Sequence, residues 1–149
     1  MITLLSLQTE ITREQCFKHV EFPFFTDKDY SKLIINYIYL PKDYDGKDAY
    51  DRAVQAFKEA YGESEIDLEE VKGELPLKNH VTLSLSCGNN WIGTAHRHAN
   101  NMVVEVGEHT ATEGFHKTPI IKGEYSVTLS IHALLSKKVS VSLEVVAYE

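Results

Sequence analysis

The feature that most constrains this chain is a strict two-residue hydrophobic period near its C-terminus. From Glu124 to Leu135 the odd positions are Tyr125, Val127, Leu129, Ile131, Ala133 and Leu135, and the even ones are Glu124, Ser126, Thr128, Ser130, His132 and Leu134. Successive side chains of a β-strand point to opposite faces, so this period gives one apolar and one polar face. After a basic turn at Lys137–Lys138, Val139, Val141, Leu143 and Val145 alternate with Ser140, Ser142 and Glu144. The two runs predict a hairpin with one face on a core and the other in water. Upstream, Val81, Leu83, Leu85 and Cys87 alternate with His80, Thr82, Ser84 and Ser86, which predicts a third strand and makes Cys87 a small buried hydrophobe.

Less regular strands fill the rest. Leu33–Leu40 carries Ile and Tyr on both faces and is expected to be central and covered on each side. Val20, Phe22 and Phe24 share a face of Phe17–Phe24, where Pro23 marks an edge or bend. Trp91–His98 and Met102–Val106 read as two short strands, and Thr3–Gln8 as a first one. Asp48–Tyr61 departs from the period: Tyr50, Val54, Phe57 and Tyr61 recur at helical spacing, Asp48 suits an N-cap and Gly62 the residue after the last turn. The Glu63–Glu74 stretch reads as an acidic, solvated turn region. The expectation is a mainly β, two-sheet, jelly-roll-like sandwich of about eight strands, one domain over residues 1–149, with one amphipathic helix near 48–61.

Composition narrows the function classes. With 15 basic and 22 acidic residues the net charge is −7, which argues against nucleic acid or an acidic membrane surface as partner. No apolar run reaches the roughly 18 residues of a membrane span. Met1–Leu7 lacks a basic flank and is short for a signal peptide. Two cysteines, Cys16 and Cys87, are too few for a disulfide framework. Together these predict a cytoplasmic protein with reduced thiols.

Seven histidines supply the candidate chemistry. His96 and His98 flank Arg97, so alternation puts both imidazoles on one strand face, an arrangement able to offer two nitrogens to a divalent metal. His132, His109 or His116 would give a third ligand, and Glu105 or Glu113 a carboxylate. The alternative is that these histidines cap loops and bind no ion; no cofactor is predicted. His132 with Thr128 and Ser130, and His80 with Thr82 and Ser84, would form one hydroxyl- and imidazole-rich surface if their strands are neighbours. Trp91, preceded by Asn89 and Asn90, either anchors the core or stacks on a sugar ring. Gly93 inside a strand marks a bulge or a close backbone approach. No nucleophile elbow or glycine-rich phosphate loop is present.

The order of short motifs in Trp91–Ala147 adds a family resemblance. W-I-G-T-A-H-R at Trp91–Arg97, A-T-E-G-F-H-K-T-P-I at Ala111–Ile120, K-G-E-Y at Lys122–Tyr125 and V-T-L-S-I-H at Val127–His132 resemble the N-terminal β-sandwich domain of PHP-type, carbaryl-hydrolase-like metallohydrolases. Ile92 stands where that pattern prefers Arg, and Glu113 where it prefers Pro. The resemblance implies a sandwich standing without its enzyme, because the family's catalytic ligands lie in a downstream domain for which 149 residues leave no room. No catalytic residue carries over. Arg97, with five donors, is expected to tie together carbonyls of the Ala111–Gly123 loop.

The functional expectation is a non-catalytic binding or assembly module, alone or accessory to a separately encoded metallohydrolase. Its ligand, a protein or a small polar molecule, would meet Trp91, His96, Arg97, His98, His109, His116 and His132. The rival from another class is a small metal-dependent enzyme of cupin-like logic, with His96, His98 and His132 as candidate metal ligands. A homo-oligomer built through sheet faces or edges is the third possibility.

Overall fold

The structure, a computed structural model, describes residues 1–44, 46–62, 67–73, 75, 77–95 and 99–149. Its strands are β1 (Ile2–Thr12), β2 (His19–Thr26), β3 (Lys32–Leu40), β4 (Asp43–Tyr44), β5 (Leu77–Lys78), β6 (His80–Cys87), β7 (Asn90–Ala95), β8 (Asn101–Gly107), β9 (Gly123–Ala133) and β10 (Lys138–Tyr148). Helices α1 (Ala49–Tyr61) and α2 (Leu68–Gly73) lie between β4 and β5.

Two four-stranded antiparallel sheets, ordered β1-β10-β3-β8 and β2-β9-β6-β7, form a sandwich, and β4-β5 is a small side ribbon. The pairings β1 with β10, β2 with β9, β3 with β8 and β6 with β7 nest one inside the next. That nesting is a long antiparallel ribbon wrapped round itself, the jelly-roll arrangement expected from the sequence. It starts at the β6–β7 hairpin, whose two-residue turn places Gly88 at φ 56°, where glycine escapes the Cβ penalty.

The alternation decides what is inside. Tyr125, Val127, Leu129 and Ile131 of β9 are buried against Val139, Val141, Leu143 and Val145 of β10. These strands do not pair: β9 belongs to one sheet and β10 to the other, so the expected hairpin is a crossover between sheets. Both runs carry a full apolar face, and stacking face to face buries both against each other. Arg52 of α1 donates from Nη1 to the crossover carbonyl of Leu135 at 3.1 Å, which docks the helix at this end. Asn79, wholly buried, accepts from Leu135 N at 2.8 Å and donates to Pro41 O at 3.0 Å and Ser136 Oγ at 2.9 Å.

Two further expectations change. β3 is central between β10 and β8, but only its inner face is covered; Ile38 and Leu40 look outward and are substantially exposed. Residues 68–73 of the acidic stretch form a short helix whose Val71 is buried. The helix over 49–61 forms as expected, although the Asp48 carboxylate caps no backbone amide: it accepts from Tyr44 Oη and pairs with Arg52 Nε at 3.4 Å. No helix among the described residues is long and apolar enough to cross a membrane.

Candidate functional site

β6 and β9 are neighbours, which meets the condition set by the sequence for a hydroxyl- and imidazole-rich surface. Paired residues of an antiparallel sheet share a face, so the registers order the outer side of β2-β9-β6-β7 into rows. One row is His19–Ser130–Thr82. The next is Glu21–Thr128–Ser84–Thr94, and the third is Pro23–Ser126–Ser86–Trp91. In the first row His19 Nδ1 is 2.8 Å from Ser130 Oγ. Thr82 Oγ1 is 2.8 Å from His132 Nε2, and the His132 ring lies 5.0 Å from that of His80. In the second row the Ser84 and Thr94 hydroxyls are 2.8 Å apart.

Trp91 closes the third row, and it is not a core anchor: it is 55% exposed. Its indole N–H donates to Thr94 Oγ1 at 3.0 Å, which ties the ring into the hydroxyl ladder. His116 meets it edge-on, with ring centroids 5.5 Å apart and planes at 80°. The indole is therefore held at two points while much of its surface stays in water.

The loop that carries His116 is fixed by the sandwich edges. Residues 108–122 run from β8 to the outer edge of β7. On β8, Thr112 N donates to Glu105 O at 2.8 Å, and Glu105 N donates to Thr112 Oγ1 at 2.8 Å. On β7, Thr94 N donates to Gly114 O at 3.1 Å and His116 N to Ile92 O at 2.9 Å. Gly93 makes the second contact attainable: a Cβ there would sit 2.5 Å from both Gly114 O and Phe115 Cα. The sequence expectation of a bulge or close approach at Gly93 is met on both counts, since the β6–β7 register also shifts between Leu85 and Ser86.

A depression of about 310 Å³ is lined by Glu21, Ser86, Asn89, Glu124, Ser126 and Thr128, among others, and it meets Trp91 through Ser86, the residue paired with Trp91 across β6 and β7. Among the described residues its lining holds two carboxylates and no cationic side chain. Tyr125 lies beneath it. Burial, reinforced by the neighbouring Cys87 thiol, pushes its phenol well above the usual range, so the hydroxyl stays protonated and donates to Ile121 O at 2.9 Å.

The sequence candidates divide accordingly. Trp91 and His116 come together, and His132 joins His80 and Thr82. His109 is separate from both groups, on the exposed start of the loop, with Nε2 3.7 Å from Glu108 Oε2. Glu105 is paired with Lys32 at 3.2 Å. His96, Arg97 and His98 lie outside the described residues. Among the described residues no three His, Cys, Asp or Glu side chains gather as a metal site would require. His19, Glu21 and Thr94 were missed as site residues. The signal for the first two was present in the odd-numbered positions of β2, but Pro23 and Phe25 interrupt it.

No family model matches the chain, and no curated protein matches it by sequence. Among solved structures, the crystal structure of GEBA250068378 from Sulfurospirillum deleyianum is similar at 14% identity, over 93% of this chain and 96% of that one, with a TM-score of 0.35.

Proposed function

We propose that this protein is a non-catalytic binding module whose ligand surface is the outer face of the β2-β9-β6-β7 sheet. The observation that carries the reading is the three-strand hydroxyl ladder of Ser84, Thr94, Ser126 and Thr128, all partly exposed, which ends on a fixed and exposed indole; at its far end Thr82 and Ser130 are buried and bonded to His132 and His19. A ladder of this kind offers donors and acceptors at the spacing of a sheet, and preorganised side chains lose little freedom on binding. The resemblance to the sandwich domain of PHP-type metallohydrolases, a domain that holds none of that family's catalytic ligands, supports a binding module.

The test is a set of amide chemical-shift titrations with neutral sugars, alkylamines and short peptides as probes. Shifts clustered on β6, β7 and β9 support the module; shifts elsewhere, or none with any probe, refute it.

A metal-dependent enzyme is the second reading, favoured by one observation, the adjacent imidazoles of His80 and His132. Elemental analysis of purified protein separates the two. Stoichiometric metal that is lost in His132→Ala would favour the enzyme.

A further inference from the structure

We infer that Trp91 and the adjoining depression form a subsite for a neutral glycan, with the indole under one sugar ring and the depression taking its neighbour. This rests on the proposed binding face and names the chemistry of its ligand. Three observations converge.

The first is the platform. The indole is pinned by Thr94 Oγ1 at its N–H and by the edge-on His116 ring, yet it is 55% exposed. An aromatic face held in this way is complementary to the apolar C–H face of a pyranose, because both are flat and the ring quadrupole attracts weakly positive C–H groups. The N–H is already satisfied within the protein, so a stacked ligand leaves no buried donor unpaired.

The second is the lining. Ser86, Ser126 and Thr128 carry hydroxyls that donate and accept, Asn89 carries an amide that does both, and Glu21 and Glu124 only accept when ionised. Vicinal sugar hydroxyls are themselves both donors and acceptors, and each would find partners here.

The third is charge. Among the described residues the lining contains two carboxylates and no cation, on a chain of net charge −7. An anionic ligand such as a phosphate or a uronate would be repelled on approach and left unpaired on arrival. A quaternary ammonium suits carboxylates, but aromatic cages enclose such a cation on several sides, and the one aromatic side chain in this lining, Tyr125, is buried beneath hydroxyl, amide and carboxylate groups.

Trp91 is the only tryptophan in the sequence, so tryptophan emission, excited selectively over the eight tyrosines, reports on this subsite alone. The experiment titrates the protein with cello-, xylo-, manno- and chito-oligosaccharides, with oligogalacturonate as the anionic comparison and choline as the cationic one. The expected result is a blue shift with quenching for at least one neutral oligosaccharide, and none for oligogalacturonate or choline. Binding by isothermal calorimetry should weaken at least about tenfold in Trp91→Ala, less in Trp91→Phe, and also in Glu124→Gln. Val103→Ser, on the exposed outer face of the other sheet, should bind as the parent does.

Binding of oligogalacturonate or choline in place of the neutral series would overturn the assignment. So would neutral binding that Trp91→Ala leaves intact. If amines or peptides shift β6, β7 and β9 amides while no oligosaccharide moves the tryptophan emission, the glycan inference fails and the binding face stands. If no probe perturbs that face, both fail.

Discussion

Replacing Gly93 by alanine asks whether the loop over residues 112–116 is held by close backbone contact with β7. An added methyl would lie 2.5 Å from Gly114 O, 2.5 Å from Phe115 Cα and 2.6 Å from Phe115 Cδ1. Two of those atoms are main chain or bonded directly into it, so relief requires the loop to move away by about 1 Å to reach ordinary contact distance. Such a shift breaks or stretches two backbone hydrogen bonds, Thr94 N to Gly114 O and His116 N to Ile92 O, worth about 1 kcal/mol each. Strain and partial uncovering of Phe115, which is buried, add about 1 kcal/mol more. The sum is about 3 kcal/mol, which in a chain of this length lowers the melting temperature by about 10 °C. Urea and thermal unfolding followed by far-UV circular dichroism give the number, and Trp91 emission in the folded variant reports whether His116 has moved with the loop. A melting temperature within about 2 °C of the parent, with unchanged emission, would show that the loop is held by something other than this contact.

The remaining predictions concern the core and the surface. Burial holds the Tyr37 phenol far above the 10.0 of a free tyrosine, and Tyr125 is raised for the same reason. Both stay neutral in the fold while the unfolded chain ionises, so stability is intact below about pH 10 and falls as the pH rises beyond it; in Tyr37→Phe the decline seen in denaturant midpoints should be shallower. The same variant loses the hydroxyl contact to Val81 O at 3.3 Å, costing about 1 kcal/mol at neutral pH. Asn79→Ala should destabilise by about 3 kcal/mol, because it strands Leu135 N, Pro41 O and Ser136 Oγ, partners of a fully buried amide; equilibrium urea unfolding measures it. Glu149→Gln removes the Lys28–Glu149 ion pair, but both side chains are solvent-exposed and the pair is screened, so the melting temperature at neutral pH should not change measurably.

How far the sequence reveals this fold depends on which interaction decides each element. The alternation in β6, β9 and β10 is local, and those strands form where the pattern places them. Their pairing is not local. β9 and β10 carry the same pattern on either side of a short basic turn, and nothing in that pattern distinguishes a hairpin from a crossover between sheets. The outer face of β3 misled for a related reason: Ile38 and Leu40 are apolar, and apolar character alone does not supply a covering layer. At the candidate site, the polar faces of β6 and β9 were legible by strict alternation. A lone indole is more often a core anchor, and for Trp91 that expectation fails, since the ring is 55% exposed. Its exposure follows from the register shift after Leu85; Gly93 signals a bulge or close approach there, but not which side chain the shift turns outward or that the arriving loop is the one at residues 112–116.

The loop at 108–122 joins the stability of the sandwich to the shape of the site. It runs along the edge of β8 and then the edge of β7, satisfying backbone groups that would otherwise be open to edge pairing. In doing so it sets His116 against Trp91. Damage to the edge contact and loss of the platform should therefore separate cleanly. Trp91→Ala removes a half-exposed ring and leaves the edge bonds in place, so it should alter ligand binding with little effect on unfolding. Gly93→Ala displaces the loop and should reduce both. In the double variant the binding defects should fall short of additive, since each removes the same indole–imidazole arrangement, while the stability defects should nearly add. Fully additive binding losses would mean that His116 orients nothing, and that the loop serves only to close the edge of the sheet.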